Sequence, residues 1–88
     1  MERSMTAPAL EPIADVLGAR VADWLDTEEH RDQAWNLHQR ITDQHGPYVA
    51  AAWLIGMNPH LGDNSPLQAV RNGHSADARA AAHAYLDD

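Results

Sequence analysis

The chain contains no cysteine, no phenylalanine and no lysine. Without cysteine there are no disulfides, no thiolate metal ligands and no thiol nucleophile. Without lysine, the permanent cations are six scattered arginines: Arg3, Arg20, Arg31, Arg40, Arg71 and Arg79. They stand against thirteen acids, for a formal net charge of −7. Binding to nucleic acid draws on a clustered basic face that neutralises phosphates. Isolated arginines supply no such cluster, so autonomous DNA binding is disfavoured. No run of 18 apolar residues is present, and no segment is expected to span a membrane. Residues 1–5 lack the basic and apolar regions of a secretory signal. A cytoplasmic protein is the expectation.

What the chain does have is alanine. Of its 39 apolar residues, sixteen are Ala; the rest are eight Leu, four Val, three each of Ile, Trp and Met, and two Tyr. Eighty-eight residues are enough for one small domain. Such a domain buries only about 60–65% of its unfolded surface, and alanine contributes little per residue to a core. A lone monomer would be marginal, which points to a homodimer or to another protein partner. Using arginine to the exclusion of lysine, with so much alanine, fits a GC-rich genome.

Six acids (Asp15, Asp23, Asp26, Glu28, Glu29 and Asp32) crowd 18 residues of the N-terminal half. That face either docks a basic partner or is a solvated helix face that keeps a small protein in solution.

Helical punctuation runs through the chain. Residues 1–9 carry no periodic pattern and are expected to form a disordered tail, leaving residues 10–88 as a single helical domain. Pro12 suits a first helical turn. Ile13, Val16, Leu17, Val21, Trp24 and Leu25 then follow the i, i+3, i+4 stripe of one amphipathic helix. Gly18 weakens that helix, and a close helix crossing there would compensate. Asp26-Thr27-Glu28-Glu29 reads as a capping box that opens a second helix ending near His45. Gly46-Pro47 stops it and restarts a third, about residues 47–56. That segment is apolar almost all round, the pattern of a buried helix.

A turn follows at Met57–Asn64. Ser65-Pro66-Leu67-Gln68 caps a short fourth helix to Asn72, and Ser75 caps a fifth from Ala76 to Leu86. No stretch alternates as a strand does. The expected fold class is all-α, about five short helices around the central one. Its core is expected to include Leu17, Ile41, Val49, Trp53 and Leu54, with Ala78, Ala82, Tyr85 and Leu86 facing inward from the last helix.

Little in the residues suggests chemistry. His30, His38 and His45 share an arc of about 80° on the second helix, but lie about 12 and 10 Å apart along it. Zinc ligands need i, i+3 or i, i+4 spacing, and no two of the six histidines have it. His60, Asp63 and Ser65 offer the three members of a nucleophilic triad. A short exposed loop does not supply the buried orienting acid and oxyanion hole that a triad needs, and Ser65 is better used as a helix cap. The five glycines are isolated, so there is no phosphate-binding loop. No catalytic residue, metal or cofactor is expected. The tryptophans are more informative: Trp53 belongs to the central helix, and Trp24 and Trp35 either cover the core or anchor a partner.

From Trp53 to Leu67 the chain reads Trp-Leu-Ile-Gly-Met-Asn-Pro-His-Leu-Gly-Asp-Asn-Ser-Pro-Leu. Gly73 and an Ala-rich helix ending in Tyr85-Leu86 follow. This order resembles the C-terminal toxin-binding domain of Xre/MbcA/ParS-type bacterial antitoxins. The family pattern is a Trp-Leu helix end, an Asn-Pro-x-Leu turn, a Gly, a Pro-Leu helix start and a further Gly. The resemblance covers about residues 33–86. In place of the family's N-terminal helix-turn-helix, this chain carries an acidic stretch about 30 residues long. The resemblance implies a non-enzymatic module from a toxin–antitoxin system, one that covers the active-site entrance of a NAD-consuming RES-type toxin and often self-associates.

The expected partner surface is the Asn58–Asp63 turn, the short helix after it and the end of the last helix. Its residues are Asn58, His60, Leu61, Arg71, Asn72, His74, Tyr85 and Leu86. The alternative is a small acidic regulator, host- or phage-encoded, that binds a basic protein through the Asp15–Asp32 face. A weaker alternative is a transcriptional regulator that contacts DNA.

Overall fold

The stripe from Ile13 to Leu25 predicts one helix, and the chain makes two. The structure, a computed structural model, describes residues 10–87; the tail expected over residues 1–9 lies outside them. Helix α1 spans Leu10–Leu17 and α2 spans Ala19–Trp24. Gly18 separates them at φ 99°, ψ 153°, a conformation open to glycine and strained for other residues. A methyl group at Gly18 would meet nothing within 4 Å. The glycine therefore redirects the chain, and the expected close crossing is absent.

Helix α3 runs Glu28–His45. Its cap is one residue later than the sequence suggests. Thr27 is the N-cap, its Oγ1 accepting from the His30 N–H at 3.0 Å. Asp26 instead takes φ 80° in the reversal between α2 and α3. His30 occupies the position where a capping box needs Glu or Gln. Its Nδ1 lies 2.8 Å from the Leu25 carbonyl oxygen, an acceptor only, so this nitrogen carries the proton.

Gly46 both ends α3 and precedes α4, Pro47–Ile55, with Pro47 in the first turn. A 3-10 turn follows at Pro59–Leu61. Helix α5, Pro66–Arg71, starts from the expected capping box: the Gln68 N–H donates to Ser65 Oγ and the Ser65 N–H to Gln68 Oε1, each at 3.1 Å. Helix α6 is Ser75–Asp87. The chain is all-α; no strand occurs among the described residues, and none of the helices is long and apolar enough to cross a membrane.

One cluster of buried side chains draws on every helix. It contains Ile13, Ala22, Leu25, Ala34, Leu37, Leu54, Leu67, Ala69, Val70, Ala78 and Ala82. Ile41 is fully buried as well. Among the residues expected in the core, Ile41 and Leu54 hold that place. Leu17 and Trp53 are only partly buried and pack against the cluster's edge.

Val49 is a correction, because it lies on the exposed side of α4. So are Tyr48 and Ile55. The whole-helix expectation fails for a physical reason. Helix α4 packs on α3 and α5, which cover the side carrying Ala50 and Leu54. A domain this small has no further layer for the other side.

Candidate partner-binding surface

The turn after α4 is tied to itself. Asn58 accepts at its side-chain oxygen from the His60 N–H at 2.9 Å. Its backbone carbonyl accepts from the Leu61 and Asp63 N–H groups, both at 2.9 Å, and its own N–H donates to the Asn64 carbonyl at 3.2 Å. These bonds follow from Asn-Pro: the asparagine amide mimics a backbone turn, and proline fixes the next φ. Asn58 is consequently only 7% exposed. It builds the turn, and its assignment as a contact residue is corrected. Leu61 is half-buried and packs on the core, so it too supports the turn more than it projects. His60 stays exposed, on a turn that packs against α6.

The remaining expected residues fall into two groups. Arg71, Asn72 and His74 surround the reversal before α6, whereas Tyr85 and Leu86 close that helix. Ten residues of helix separate the groups by about 15 Å. Arg71 is engaged elsewhere: its Nε donates to the Trp24 carbonyl at 2.6 Å, and its guanidinium lies 5.1 Å from the Trp24 ring centroid. It ties α5 to the end of α2. Replacing it with alanine should lower the unfolding midpoint modestly, by roughly 0.5–2 kcal/mol of lost hydrogen bond and cation–π contact; urea unfolding checks this.

An aromatic cluster gathers at the end of α6. The Tyr85 ring sits 6.0 Å from Trp53 and 5.3 Å from His45, tilted to both, and is 38% exposed. Half-buried Leu86 adjoins it. Offset and tilted rings at such separations are favourable aromatic contacts. The expectation that Tyr85 faces inward is half met, since one side rests on Trp53 and the other is open. His45 was not among the expected contact residues. Its place at the end of α3 put it within reach of α6 only after folding.

A pocket between α3 and α6, lined by Gln33, Asn36, Leu37, Arg40, Ser75 and Arg79, has a volume of about 50 Å³. Ligand pockets run to about 300–1,000 Å³. Among the described residues no three His, Asp or Glu side chains converge as metal ligands do. Ser65 Oγ, the candidate nucleophile, accepts the cap bond of α5.

His38 lies on the buried side of α3. It is 2% exposed and stacks on Trp35 at 5.1 Å. Its Nδ1 lies 3.3 Å from Thr42 Oγ1, and its Nε2 has no partner. Burial lowers its pKa below the usual 6.5, with the Pro47 carbonyl pulling the other way. The folded state therefore binds this proton more weakly than the unfolded chain. Its contribution to stability is full above pH 6.5 and is lost as pH falls through the lowered value. Thermal unfolding at pH 8 and pH 5.5 should show a drop that is smaller in His38→Leu; equal drops would contradict the assignment. No family model, curated protein or solved structure matches the chain.

Proposed function

We propose that the protein is a non-enzymatic, antitoxin-like module that binds and restrains another protein. The observation that carries this reading is Tyr85. It is an aromatic side chain held between Trp53 and His45 on two other helices, with over a third of its surface in water. Pre-positioned aromatic anchors of this kind dominate binding energy at protein interfaces, and they lose little entropy on docking. Leu86 would extend the apolar contact, and His60 would add a polar one.

The resemblance over residues 33–86 supplies the partner class, a RES-type toxin. The direct test is NAD consumption by such a toxin encoded beside this chain. One equivalent of wild type should abolish it. Tyr85→Ala should need ~10–100-fold more chain for the same effect. Undiminished NAD consumption with wild type rejects the toxin reading.

One observation favours a second reading. Asp15, Asp23, Asp26, Glu28 and Glu29 are all exposed, and the neighbouring Arg31 donates its Nε to the Ala22 carbonyl at 2.8 Å, not to an acid. A basic partner would meet an acidic face there. Glu28→Lys with Glu29→Lys abolishes binding on that reading and leaves it intact on the first. Contact with DNA has less support, since Arg31 and Arg71 each hold a carbonyl oxygen.

A further inference from the structure

Residues 44–62 are nineteen consecutive positions without an acid, arginine or lysine, in a chain that carries −7. They include all of α4. At 100° per residue, Ala50 and Leu54 mark its buried side. Ile55, Tyr48, Ala52 and Val49 follow one another round an arc of about 120° on the opposite side. Tyr48 is 91% exposed, Ile55 60% and Val49 38%, and Met57, just past the helix end, is 82% exposed. Ala52, also exposed, sits at the middle of the arc.

We infer that this face is the interface with a second copy of the chain, α4 crossing its two-fold mate at Ala52. Three features select that occupant. Two copies of net charge −7 repel, so they meet at least cost where neither presents charge. Interfaces with transient partners are about as polar as the rest of a protein surface, whereas homodimer interfaces are more apolar and depleted of charge at their centre. The geometry is also self-complementary. A small residue at the crossing lets two helix axes approach to about 8 Å. In an antiparallel crossing, Tyr48 of one copy then falls beside Ile55 of the other, twice over. An isologous contact requires this reciprocity.

The four large side chains leave roughly 500 Å² in water, taking ~200 Å² for each when fully exposed. A standard interface uses about 800 Å² per partner, so the dimer is weak and its population depends on concentration.

Sedimentation equilibrium over a dilution series tests this. Wild type should approach twice 9.7 kDa at high concentration and fall toward the single-chain mass on dilution. Tyr48→Ser with Ile55→Ser should shift the midpoint of association at least ~10-fold upward, with unchanged helical circular dichroism because both side chains are exposed. Ala52→Glu, which sets like charges face to face, should remain monomeric. Tyr85→Ala should dimerise as wild type does. A wild type at the single-chain mass throughout overturns the inference, as does a dimer indifferent to the α4 variants. Neither result bears on the toxin assay, which reads the Tyr85 surface.

Discussion

Leu54→Ala is expected to cost about 2–5 kcal/mol of unfolding free energy. The side chain is fully buried within the cluster that joins all the helices, and truncation leaves a cavity in a core where five of the eleven clustered residues are alanines, too short to fill it. A domain of this size has roughly 4–13 kcal/mol in all, so the variant should be close to unfolded at body temperature. Tyr48→Ala, six residues earlier on the same helix but 91% exposed, should cost almost nothing in dilute protein. Urea unfolding of the two variants separates the sides of α4, with the midpoint moving at constant slope. A larger loss for Tyr48→Ala than for Leu54→Ala would mean that α4 is rotated relative to this description.

Gly46→Ala is the second large effect, at about 1–3 kcal/mol. Gly46 holds φ 89°, ψ 164° between α3 and α4 with no residue to spare on either side. An added methyl would meet nothing within 4 Å, so the cost is entirely one of backbone conformation. At a position with ordinary φ, the same change stabilises by about 0.4–1 kcal/mol through the unfolded chain. The sign of the change therefore decides the matter. A stabilised Gly46→Ala would show that the joint does not need a positive φ.

Several elements were legible because their signals are local. Gly46-Pro47 marked the end of α3 and the start of α4. Ser65-Pro66-Leu67-Gln68 marked the capping box of α5. The break at Gly18 was less visible. Apolar spacing continues across it, and a glycine that interrupts a helix looks in sequence like one that a helix tolerates. Thr27 took the cap from Asp26 because both residue types suit that position and only the chain reversal distinguishes them.

The site was harder to read for a different reason. An apolar helix reads as buried, but burial needs neighbours on every side, and α3 and α5 cover only one side of α4. The same property that suggested a core marks an uncovered face. Asn58 read as an exposed polar residue because its chemistry is that of turns. Its side chain spends that chemistry on the His60 N–H. Arg71 precedes the closing helix and Tyr85 lies near its far end, so the length of that helix holds them apart. Tyr85 against Trp53 and His45 is a contact among three helices distant in sequence, and no local pattern encodes it.

On the proposed reading, the Tyr85 end of the molecule binds a partner protein. Photo-crosslinking in the native cell tests it most directly, with benzoylphenylalanine in place of Tyr85 in one variant and of Glu28 in another. The expected result is one adduct with a single partner protein from position 85, lost when His60 is also changed to Asp, and no adduct from position 28. An adduct from position 28 with none from position 85, or none from either, would contradict the account.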